Sequence, residues 1–148
     1  MVICNFSKCA FKMKYERLNI DWNAEPNAPE PNLTVENGNV IIKFYLNYFL
    51  YEQFSEGDIG KLTFTNCKKF DFNNMNDEGY FSGKYRYSEN DLPWGDFYKS
   101  LTSENDFPKN PEITEINRNV KNLNHYIFFF RDNTFECLAE NYKFEIIK

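Results

Sequence analysis

His125 is the only histidine in the chain, and imidazole is the side chain whose ordinary titration range suits acid–base work near neutral pH. Its surroundings follow from the segment Tyr126-Ile127-Phe128-Phe129-Phe130-Arg131, Asp132-Asn133, Thr134-Phe135-Glu136-Cys137-Leu138-Ala139. Two runs rich in β-branched and aromatic residues around an Asp-Asn pair predict an antiparallel hairpin, since both turn residues tolerate the positive φ of a type I′ turn. With Asp132 and Asn133 as the loop, Phe130 lies opposite Phe135, Phe128 opposite Cys137, and His125 opposite Glu140. A His–carboxylate pair can act as a general base, the carboxylate fixing the tautomer, so a hydrolase would use His125 with Glu140 or Glu136. Alternation puts Cys137 on the other face from His125, which argues against a Cys–His nucleophile pair. A cross-strand ion pair on the surface explains the same residues without catalysis.

Other chemistry finds less support. Asp71, Asp77 and Glu78 could offer oxygens to a cation, but they lack the alternate acids, central Gly and terminal Glu of a calcium loop. Glu56 and Asp58 flank a Gly-containing turn and read the same way. One histidine and four scattered cysteines (Cys4, Cys9, Cys67, Cys137) give no zinc spacing and no disulfide framework. There is no GxGxxG, no phosphate-binding P-loop and no GxSxG elbow. The expectation is therefore no cofactor, no metal and no catalytic residue.

Binding residues are easier to nominate. Trp94 with Phe97 and Tyr98, beside Asp96, has the composition of an exposed aromatic anchor, with a core plug as the alternative. In the hairpin, Tyr126, Phe128, Phe130, Phe135, Cys137 and Ala139 share the face expected to be core. The other face mixes His125, Ile127, Phe129, Arg131, Thr134, Glu136, Leu138 and Glu140, as a half-covered or partner-facing surface would. The expected partner-binding residues are Trp94, Asp96, Tyr98, Phe129, Arg131 and Glu136.

The elements that must position these groups are strands. Aromatic residues make up 19% of the 148-residue chain, 16 Phe and 10 Tyr among them, which favours pleated, half-buried segments. Lys14–Trp22 alternates as an edge strand, with Leu18, Ile20 and Trp22 inward. Ala24–Asn32 carries three prolines in six residues and predicts an extended connector without strand hydrogen bonds. Asn37-Gly38 is the strongest short hairpin signal and joins Leu33–Glu36 to a long strand, Asn39–Tyr51, with Val40, Ile42, Phe44 and Leu46 on one face. Strands follow at Lys61–Phe72, Tyr80–Tyr87 and Tyr142–Ile147. Ser103–Asn119 reads as a long irregular loop. With no repeat and no βαβ rhythm, the pattern predicts a mainly β fold, an antiparallel sandwich or strongly curved sheet with little helix.

Residues 1–12 hold two of the cysteines and precede Met13, so they read as a dispensable extension before one domain over 13–148. The net charge of −5 and the lack of a basic cluster beyond Lys68-Lys69 exclude nucleic acid as an expected partner. No apolar run reaches the roughly 18 residues of a membrane span. The start has no basic-then-apolar signal, and the expected compartment is the cytoplasm.

The segments Asn19-Ile20-Asp21-Trp22-Asn23-Ala24-Glu25-Pro26-Asn27-Ala28-Pro29, Leu92-Pro93-Trp94-Gly95-Asp96-Phe97-Tyr98 and the hairpin from His125 to Cys137 resemble those of a family of small uncharacterised bacterial proteins. The resemblance runs from about Met13 to the C-terminus. It implies a bacterial origin and one domain of this length, and it brings no activity with it. The sequence reading is thus a non-enzymatic binding protein, one form being an immunity-type protein that caps a basic toxin. A carrier with an aromatic-lined pocket for a small apolar ligand is second, and a hydrolase using His125 is third.

Overall fold

Eight strands, and no helix, form among the residues that the computed structural model describes, which are 14–74, 95–101, 107, 113–117 and 119–148. The strands are β1 (Tyr15–Arg17), β2 (Asn32–Glu36), β3 (Asn39–Tyr45), β4 (Ile59–Asn73), β5 (Phe97–Ser100), β6 (Thr114–Glu115), β7 (Asn124–Phe129) and β8 (Thr134–Ile147). They make one open antiparallel sheet in the order β1-β5-β7-β8-β4-β3-β2, with the short β6 pairing β4 to one side. No described helix is long and apolar enough to cross a membrane. Residues 1–12, Tyr80–Tyr87, Trp94, Asp77 and Glu78 lie outside the described residues.

The curved-sheet expectation holds, and the curvature has a visible cause. The long strands β4 and β8 pair along nearly their whole length, with a register shift between Cys67 and Lys69. Just before it Asn66 takes a left-handed φ of 49°, and its side-chain amide donates to the Glu140 carboxylate at 2.7 Å. At this bulge the inward row on β4 steps out of strict alternation, running Leu62, Phe64, Cys67 and then Phe70 and Phe72. A bulge adds twist and bends its strand, so the ribbon folds over its own concave face. Rings from strands that are not neighbours therefore meet. Phe44 of β3 reaches Phe128 of β7 at 5.0 Å, and Phe97 of β5 reaches Phe64 of β4 at 5.8 Å. Trp22 lies flat on Phe144 at 3.9 Å and 2°. These rings fill the concave face as an aromatic core.

Local sequence explains most strand limits. Asn37 and Gly38 take φ of 52° and 78°, as a type I′ turn demands, and they close the β2–β3 hairpin in regular register. The β7–β8 hairpin keeps the expected core face: Tyr126, Phe128, Phe130, Phe135, Cys137 and Ala139 are all in the core. Its register differs by two residues, however. Phe129 pairs Thr134, so the connection is 130–133 rather than Asp132-Asn133 alone. Neither of those two is among the positive-φ residues, so the I′ turn does not form, and a shift of two leaves the faces unchanged.

Three further expectations are corrected. The first strand stops at Arg17, because Asp21 turns left-handed (φ 60°), burying Asn19 and leaving Ile20 72% exposed. The third strand stops at Tyr45 instead of running to Tyr51, because the Asn47 carboxamide accepts the N–H groups of Phe49 and Leu50 and bends the chain into a turn. The Pro-rich connector does use its backbone: Ala24 bridges Leu46, Glu25 N–H donates to Tyr45 O, and Pro29 O accepts from Tyr45 N–H.

Candidate functional site

The convex side of the β5-β7-β8-β4 half is where the sequence placed both its acid–base and its partner-binding residues. Register sets Arg17, Tyr98, Ile127, Glu136 and Asp71 side by side on five consecutive strands. His125 lies opposite Leu138, not Glu140, and its Nε2 meets Oε1 of Glu136 at 2.5 Å. A carboxylate only accepts, so in the neutral imidazole Nε2 carries the proton; Nδ1 has no hydrogen-bond partner among the described residues. Phe107 stands edge-on to the imidazole at 5.4 Å, and Lys69 Nζ sits 5.2 Å from the centre of the Phe107 ring. Glu140 instead is exposed and holds Asn66.

This surface is covered. His125, Glu136, Ile127, Phe129, Thr134 and Leu138 are all buried. The surface ion pair expected at His125 is therefore a buried His125–Glu136 pair, and its partner is set by the two-residue register difference. Of the residues nominated for partner binding, Tyr98, Phe129, Asp96 and Glu136 are buried and Trp94 lies outside the described residues. Asp96 accepts from Asn19 Nδ2 at 2.7 Å and lies 3.9 Å from Arg17, while Tyr98 packs against Tyr15 and Phe129. Among the described nominees Arg131 alone is exposed, and its guanidinium donates to Asn27 O at 2.9 Å. Cys137 is on the core face, away from His125 as expected. Burial pushes its thiol well up, with Cys67 beside it adding to the shift. Among the described residues no three His, Cys, Asp or Glu side chains are grouped to hold a metal.

Among the described residues, two accessible concavities lie elsewhere, where the 23–30 segment runs beside the end of β3. Two shallow hollows of about 430 Å³ and 320 Å³ share Glu30 and Tyr45 in their walls. Tyr48, Glu25 and Glu56 line the smaller one. Both Glu25 oxygens accept backbone N–H groups, from Asn27 at 2.9 Å and Ala28 at 2.6 Å, which shapes the loop carrying Pro29 and Glu30. Glu30 is exposed and held left-handed at φ 46°, a conformation costing a non-glycine residue about 1–2 kcal/mol. The Tyr48 phenol is held above its ordinary range, first by desolvation and then by the nearby Glu56 and Glu25 carboxylates.

Beside the hollows the Asn47 turn projects Phe49 and Leu50, each 63% exposed. The turn is firm: Asn47 is itself buried, its N–H donates to Asn23 O, and the rings of Tyr48 and Phe49 lie 4.2 Å apart. Aromatic faces rimmed by carboxylates suit a cationic side chain, through ring quadrupole and charge together. Sequence reading placed Tyr45 and Phe49 on the second face of a long strand and read Glu56 as a plain turn residue. The available signal was Asn47, a turn former inside an otherwise apolar run. Comparison with protein-family models, with curated proteins and with solved structures finds no match.

Proposed function

We propose that the protein is a non-enzymatic binding protein, and that its contact surface is the acidic, aromatic end formed by Glu30, Tyr45, Tyr48, Phe49, Leu50 and Glu56. The carrying observation is the rigid presentation of Phe49 and Leu50 beside a hollow walled by tyrosines and carboxylates. Exposed aromatic anchors next to pockets are where binding energy concentrates, and the negative rim selects a partner that brings Lys or Arg. The net charge of −5 adds long-range attraction for such a partner. An immunity-type protein capping a basic toxin is one form of this reading. The aromatic core rings occupy the concave space an apolar ligand would need, and the burial of His125 keeps it from a substrate; both weigh toward binding over carriage or hydrolysis.

The test is capture from the native cell lysate with tagged protein, beside a Phe49→Ser/Glu56→Lys variant, at low and high salt. A basic protein retained by the native chain, released by salt and missed by the variant is the expected result. Capture of the same partner by both chains would remove this surface from the account.

A further inference from the structure

The two edges of the sheet are unlike. β1 is three residues long, with Glu16 and Arg17 exposed, a short and charged edge of the kind that resists pairing. The other edge, β2, has five regularly paired residues, Asn32-Leu33-Thr34-Val35-Glu36, with no proline, lysine or bulge. Val35 is 48% exposed there. A regular edge strand without protection is a template for another strand.

The hairpin fixes which backbone groups are offered. A two-residue loop makes Glu36 and Asn39 a hydrogen-bonded pair, and alternation makes Thr34–Ile41 and Asn32–Lys43 the next ones. The N–H and C=O groups of Leu33 and Val35 therefore point away from β3, toward the open edge. We infer that this edge pairs with β2 of a second copy of the chain, antiparallel about a two-fold axis through Thr34.

Complementarity selects that register. Centred on Thr34, Leu33 of each copy lies opposite Val35 of the other, and the two pairs exchange four N–H···O bonds. Their side chains meet on the core face, where Leu33 already packs, and cover Val35. On the other face Asn32 lies opposite Glu36 of the second copy, with Lys43 next in the row, so a carboxylate meets an amide and then an ammonium. Centring on Leu33 would set Pro31, which has no N–H, in a hydrogen-bonding place and Glu30 against Glu36. Centring on Val35 would require the left-handed Asn37 to pair as a strand. Such a dimer is isologous, and the short contact makes it weak and concentration-dependent.

Sedimentation over a concentration series tests the pairing. The native chain should shift from monomer toward dimer. Val35→Pro, which removes an outward N–H that β3 does not use, should weaken association roughly tenfold or more, since symmetry deletes two bonds. Independently, Thr34→Cys should form a disulfide between the introduced thiols of two copies on mild air oxidation, identified by peptide mass, because directly opposite non-hydrogen-bonded Cα atoms lie about 4.5 Å apart. Glu36→Cys should not cross-link to itself. A chain that stays monomeric at every concentration, a dimer indifferent to Val35→Pro, or failure of the Thr34→Cys link would each overturn the inference.

Discussion

Gly60→Ala is a small change whose cost can be worked from the geometry. Gly60 lies opposite Phe44 in the β3–β4 ladder, and a Cβ added there would come 2.8 Å from both Cε2 and Cζ of Phe44 and 3.0 Å from Cδ2 of Leu46. The Phe44 ring has little room to yield, with Trp22 at 5.8 Å, Phe128 at 5.0 Å and Phe130 at 5.5 Å, centre to centre. Overpacking of this kind costs about 1–3 kcal/mol. The lower unfolded-chain entropy of alanine returns about 0.5–1 kcal/mol, leaving a net loss of roughly 1–2 kcal/mol. Urea unfolding at constant slope measures it. Phe44→Leu removes the clashing ring atoms, so the double variant should be little less stable than Phe44→Leu alone, a coupling of about 1 kcal/mol in its favour. If Gly60→Ala matches the native stability, or the two losses simply add, the packing argument is wrong.

Other outcomes follow from the same structure. Glu30→Gly should raise stability by about 1 kcal/mol, because glycine adopts the left-handed backbone without cost, while weakening capture of a basic partner; a thermal melt and the capture assay read the two effects. Asn19, whose buried amide bonds Trp22 O, Asp96 Oδ1 and the Phe97 N–H, should cost about 2–3 kcal/mol as Asn19→Ala, since it leaves buried groups unpaired. For Tyr126, burial and the neighbouring Cys137 push the phenol up to about 12. Its folded value lies above the unfolded one, so its contribution is complete below about pH 10 and is lost as pH rises toward 12. Alkaline unfolding followed by tyrosinate absorbance should show that loss, and Tyr126→Phe should reduce it.

How far the sequence could be read depends on the range of the interaction. Asn37-Gly38 and the parity of Tyr126, Phe128 and Phe130 are local signals, and both fix what they should: a turn and a core face. The two-residue register difference at Asp132-Asn133 escaped because those residues permit positive φ without adopting it. That difference moves the carboxylate beside His125 from Glu140 to Glu136. The mixed face of the hairpin was misjudged for a related reason: alternation assigns side chains to a face but does not say whether other chain covers it. The hollow at Glu30, Tyr45, Tyr48 and Glu56 draws on three separate segments brought together by the hydrogen bonds of Glu25 and Tyr45. No sequence window contains it.

The account rests on that hollow accepting a cationic side chain, which can be tested without knowing the partner. The amide resonances of the ¹⁵N-labelled chain, followed while argininamide is added at low salt, give the most direct answer. Saturable shifts centred on Glu30, Tyr45, Tyr48 and Glu56, abolished by Glu30→Gln/Glu56→Gln and by salt, are predicted. Shifts spread over the whole acidic surface, or none at these residues, would contradict it.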